Sequence, residues 1–307
     1  MKILATIILF CTLYSCNFAQ SQSKVHSPMG KSAEDASFKK VADELNALTT
    51  LYPGWYGFDH SIVALKDFGL TYKDFPTDTE ELLYSEAFSV NKDSIDVHVL
   101  QEYYQVKIRQ KLAQLTSHTD FGKADNEKLV DIFATKSADN KVYNFVYDEN
   151  TGGSYQSRVS YIYYTGQKGE QDQSLYNPDG YDTIIPLKAK AATRYLMMGE
   201  NIGCNSCMGH YAKLVHYENG QPVVDFEYEL DTRMGYENAI EYNPATKTLW
   251  AHYTTDDMQT YCYCGEEDKN QADDRADESA VRQCSCTFTF NGTTFELTGQ
   301  KDEPVKE

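Results

Sequence analysis

Residues 211–230 read YAKLVHYENGQPVVDFEYEL. Two runs of β-forming residues, Tyr211–Tyr217 and Val223–Leu230, flank Glu218-Asn219-Gly220-Gln221. Asn-Gly between such runs is the strongest short-range hairpin signal, because both residues accept the positive φ of a type I′ turn. The same grammar recurs on either side. Lys141–Tyr147 and Gln156–Tyr164 alternate with a period of two. Asn243-Pro244-Ala245-Thr246-Lys247 is a turn, and Asn291-Gly292 joins Cys284–Phe290 to Thr294–Leu297. About ten to twelve short strands linked by hairpin turns imply an antiparallel sandwich, barrel or small irregular propeller. No strict repeat period marks a regular propeller.

Upstream the period changes. Phe38, Val41, Ala42, Leu45 and Leu48 form one apolar helical stripe. Val97, Leu100, Tyr104, Ile108, Leu112 and Leu115 form a second, a packing face for the sheet that follows. Between them Thr77-Asp78 can cap a short helix through Leu82, Leu83 and Phe88. The expected fold class is α+β, an N-terminal helical segment (35–120) packed on a large antiparallel β domain (125–298). Residues 299–307 read as a charged, disordered tail.

The leader bears on compartment. One Lys precedes the apolar run Ile3–Tyr14, the length of a signal-peptide core. Leu13-Tyr14-Ser15-Cys16 fits the bacterial lipoprotein pattern, with Cys16 lipidated as the mature start. Ordinary cleavage near Ala19 is the rival, so 1–19 reads as a signal peptide and 20–34 as a flexible tether. No later stretch approaches ~18 consecutive apolar residues, so the lipid anchor is the only membrane attachment expected. The expected location is the bacterial outer membrane or periplasm, or else secretion.

Of 307 residues, 28 are basic and 46 acidic, a net charge of −18. That balance repels phosphate backbones and excludes nucleic acid as a partner. It suits a cationic protein partner or a cell-surface ligand. The 24 tyrosines suit half-exposed sheet faces.

Six cysteines follow the leader: Cys204, Cys207, Cys262, Cys264, Cys284 and Cys286. An even count in an oxidising compartment favours disulfides. If the two Cys-x-Cys segments were antiparallel neighbours, one register would set Cys262 against Cys286 and Cys264 against Cys284. Fifteen pairings of the six stay open. Cys204, Cys207 and His210 with one further thiol could instead hold zinc.

Asp225, Glu227 and Glu229 alternate with apolar residues and make a carboxylate row on one strand face. Such a row could hold Ca²⁺ or serve as acid and base, or simply face water. His216 and His252 are candidates to meet across strands. There is no Gly-x-Ser-x-Gly, no His-Glu-x-x-His and no phosphate loop, and no cofactor is implied. The reading is a non-catalytic envelope binding protein. The alternative is an envelope enzyme or a carbohydrate- or metal-binding protein using the carboxylate row or the Cys204/Cys207/His210 set.

Ser137-x-Asp139-x-Lys141 followed by Tyr147-Asp148-x-x-Thr151-Gly152-Gly153 resembles a motif in a family of uncharacterised exported bacterial proteins and lipoproteins. Asn243–Thr248 and Phe290-Asn291-Gly292 with Phe295 extend the likeness. The resemblance implies N-terminal helices and a β-rich C-terminal region, and no catalytic residues. A weaker similarity reaches β-rich periplasmic lysozyme-inhibitor-like proteins.

Overall fold

The computed structural model describes residues 37–53, 62–75, 92–123, 130–149, 157–169, 171–203, 206–235, 238–255, 261–265 and 281–305. The leader, Cys16, the tether, the short helix expected at 77–88 and the acidic loop 266–280 lie outside them.

Helix α1 (Phe38–Leu51) starts at Ser37, whose side chain accepts from the Lys40 amide. Its stripe buries Phe38, Val41, Ala42 and Leu45. Strand β1 (Ile62–Ala64) pairs antiparallel with β2 (Ser94–Asp96), a small ribbon that the sequence patterning does not announce. Asp96 then caps α2 (Val97–Ser117), accepting from the His98 amide at 2.8 Å. All six residues of the expected α2 stripe are buried. Lys111 of α2 forms an ion pair with Glu44 of α1.

Among the described residues eleven strands follow in three antiparallel meanders. The first holds β3 (Phe133–Lys136), β4 (Val142–Asp148) and β5 (Arg158–Tyr164). The second holds β6 (Thr183–Leu187), β7 (Arg194–Ile202), β8 (Cys207–Glu218) and β9 (Gln221–Arg233). The third holds β10 (Ala239–Asn243), β11 (Thr248–Thr254), β12 (Arg282–Phe290) and β13 (Phe295–Pro304). The fold is therefore α+β with a large antiparallel β part, built as stacked meanders.

Side-chain alternation sets the stacking order. Tyr195, Met197, Tyr211 and Val215 of the second sheet cluster with Val142 and Ile162 of the first. Leu196, Ala212, Leu214, Tyr228 and Leu230, on the opposite face, cluster with Leu249, Ala251, Tyr253 and Phe288 of the third. The second sheet is thus the middle layer, and β8 is buried on both faces. Leu196 and Leu214 are fully buried; truncating either to Ala costs about 2–5 kcal/mol. The first sheet turns its other face to the helices. Phe121 lies against Tyr143, Tyr52 against Tyr147, and the Tyr163 hydroxyl donates to the Thr116 carbonyl.

Two expectations change. Eleven of the 19 tyrosines among the described residues are buried, most of them in the layers between elements rather than on half-wet faces. Stacked sheets create more inner surface than one sandwich, and Tyr fills it while its hydroxyl finds partners such as Asp139 for Tyr195. The charged tail is strand, not loose chain: β13 pairs with β12 as far as Arg282 opposite Pro304. The Arg282–Asp302 ion pair ties that end.

The turns behave as their residues require. Asn219 and Gly220 both have positive φ, 53° and 84°. In the β3–β4 turn the Ser137 hydroxyl donates to Asp139 and accepts from the Val142 amide. Ser137-x-Asp139-x-Lys141 is a turn device.

Candidate functional site

Cys284 and Cys286 of β12 sit on the face that meets the middle sheet, and both are fully buried. The segment 261–265 crosses this face. Disulfides join Cys262 to Cys284 and Cys264 to Cys286, each across a Cα separation of 5.4 Å. This differs from the register expected of antiparallel neighbours. The neighbours of β12 are β11 and β13, so Cys262–Cys264 is no strand partner. It lies over the sheet and runs in the same sense as β12, which gives both bridges the same sequence separation of 22. Tyr228 and Tyr253 secure the crossing by bonding the backbone of Tyr263.

Cys207 is also disulfide-bonded, and Cys204 lies outside the described residues. A sulfur held in a disulfide offers no thiolate to zinc. Cys207 and His210 are moreover three residues apart on a regular strand and point to opposite faces. Cys207 and His210, two members of the alternative zinc set, do not meet at one site.

The carboxylate row divides. A β-bulge pairs Val215 with Val224 but Leu214 with Phe226, leaving Asp225 as the extra residue. Asp225 is thereby turned to the face opposite Glu227. Its Oδ2 lies 2.8 Å from His216 Nδ1 and 3.0 Å from Arg194 Nε. The Arg194 contact is ionic and not an aligned hydrogen bond. Only about a tenth of each of these three side chains is exposed. His216 Nε2 lies 3.1 Å from Glu218, so both ring nitrogens meet carboxylates. This is a buried charge network without a nucleophile. Asp225 is not on a wet face, and His216 does not meet His252.

His252 stacks on Trp250 on the outer face of the third sheet, ring centroids 4.2 Å apart. Trp250 is 39% exposed and bonds Ser285 through its indole N–H. His210, by contrast, is buried, with Glu200 3.7 Å from its Nδ1. Burial lowers its pKa; Glu200 and Asp231 work against that shift and His252 adds to it.

Glu227 and Glu229 keep the expected wet positions, and Asp231 continues the series two residues on. Glu227 pairs with Lys213 of β8 at 2.6 Å. Glu229 and Asp231 have no hydrogen-bond or ion-pair partner among the described residues. Desolvation and the neighbouring Glu227 charge raise the Glu229 pKa, with Lys213 opposing and Asp231 adding. Strand β9 pairs with β8 on one side and with no other described strand.

Asp231 was legible as the next step of the alternation. Arg194 was not, since nothing in its local sequence points to Asp225. No family model, curated protein or solved structure matches the chain.

Proposed function

We propose that this chain is an exported envelope protein, anchored through Cys16, that binds and does not catalyse, and that a basic, extended segment of a protein partner docks along β9. The observation that carries this reading is the row Glu227, Glu229 and Asp231 on an edge strand, two of its three carboxylates without a cation of their own. Alternate side chains on a strand recur about every 6.8 Å. A partner strand bearing Lys or Arg at alternate positions matches that spacing, and edge strands accept such additions. The net charge of −18 favours the same partner. Two disulfides fit maturation in an oxidising compartment. Exposed pairs contribute little each, about 0–1 kcal/mol, so the row governs encounter rate and salt dependence more than tightness.

The test is titration of the mature chain with a peptide of alternating Lys and Val. Binding should weaken at least tenfold between about 50 and 300 mM salt. It should be lost in the combined variant Glu227→Gln, Glu229→Gln, Asp231→Asn. Equal binding by that variant refutes the reading. The exposed Trp250 on its Ser/Thr-rich outer face favours a second reading, a saccharide surface. A soluble glycan whose binding is lost in Trp250→Ala, with the β9 variant unaffected, selects it.

A further inference from the structure

A cavity of about 80 Å³ lies between α2 and strands β4 and β5. Ile108, Leu112 and Val159 give it an apolar wall. Two donor side chains line it. Arg109 lines it, is exposed, and makes no hydrogen bond or ion pair among the described residues. Tyr147 lines it at 7% exposure, and its hydroxyl has no partner. Burial raises the Tyr147 pKa, with Tyr52 and Glu149 adding and Arg109 opposing, so the phenol stays a donor. Gln105, Ser160 and Gln173 complete its polar lining, and Gln173 is held by both main-chain groups of Ile162.

An unpaired guanidinium and a buried, unpartnered phenol side by side make an anion site. The nearby Glu149 carboxylate bonds Tyr52 and Ser157 and does not reach the Tyr147 hydroxyl. The volume is far below the roughly 300–1,000 Å³ that holds a drug-sized molecule, yet exceeds that of a single water. We infer that this cavity binds a small carboxylate, its oxygens on Arg109 and Tyr147 and a short alkyl group against Ile108, Leu112 and Val159. The source is either a free short-chain acid or the C-terminal carboxylate of a peptide. The site is separate from β9 and does not depend on the partner proposed there.

Ligand-observed NMR on the full mature chain tests it, with acetate, propionate, acetamide, and an Ala-terminated peptide in free-acid and amidated forms. Saturable millimolar binding of the carboxylates, absent for the isosteric acetamide, is expected. Arg109→Gln and Tyr147→Phe should each weaken it about tenfold or more while the chain stays folded, since one side chain is unpartnered and the other loses only an unpaired hydroxyl. Binding of the free acids but not the peptide assigns a free metabolite acid; binding of the free-acid peptide but not its amide assigns a chain terminus. Absence of saturable binding, equal binding of acetamide, or unchanged binding in both variants overturns the inference.

Discussion

Cys264 is bonded to Cys286, and two residues back on both segments Cys262 is bonded to Cys284. The pairs keep step because the two segments run in the same sense. Both bridges close nearly the same loop, so each restrains the unfolded chain in the other's absence. Closing a loop of about 20 residues stabilises by roughly 3 kcal/mol in the loop-entropy model. Removing either pair as Cys→Ala should therefore cost less than that from the loop term. Removing both should cost more than the sum of the two separate losses. Urea midpoints of the three variants measure this.

Asp225 and Glu227 are two residues apart and have different fates. Asp225→Ala leaves Arg194 and His216 buried without their shared anion. A loss of about 3–5 kcal/mol is expected, as for breaking a buried ion pair. Glu227→Gln removes a half-exposed carboxylate from the buried Lys213, whose ammonium keeps its bond to the Leu175 carbonyl, and should cost clearly less. Equal losses would place Asp225 in water.

His210 links stability to pH. Its folded pKa lies below the ordinary 6.5 because it is buried. Near and below pH 6.5 the unfolded chain takes up a proton that the folded chain refuses. Stability is then complete above that pH and declines as the pH falls through it. His210→Gln should show a smaller drop in Tm between pH 7.5 and 5.5 than the parent chain. An identical drop would refute the assignment.

Gly220 is held by two constraints. Its φ is +84°, and a Cβ there would lie 2.7 Å from the Gly166 carbonyl oxygen and 2.7 Å from the Lys168 amide nitrogen. Gly292, at φ +100°, has nothing within 4 Å. Gly292→Ala should cost only the left-handed backbone strain, about 1–2 kcal/mol. Gly220→Ala should cost clearly more, because backbone must move. Thermal unfolding of the two variants separates the effects.

The sequence alone determined the elements that local chemistry controls. Asn219-Gly220 and Asn291-Gly292 set their hairpins, and the Val97–Leu115 stripe set α2 and its buried face. The expectation of an α+β chain with hairpin-linked strands rested on these. Tertiary structure decided what alternation cannot express. One bulge at Leu214/Val215 moved Asp225 to the other face, because a single inserted residue reverses every side chain beyond it. The crossing of Cys262–Cys264 over β12 chose the sulfur pairs, and stacking of three sheets drew tyrosines inward. Arg109, Tyr147 and Ser160 lie on three elements, and only the packing of α2 against β4 and β5 gathers them. Periodicity records how a residue faces its own strand or helix; which face meets which is settled by burial of surfaces distant in the chain.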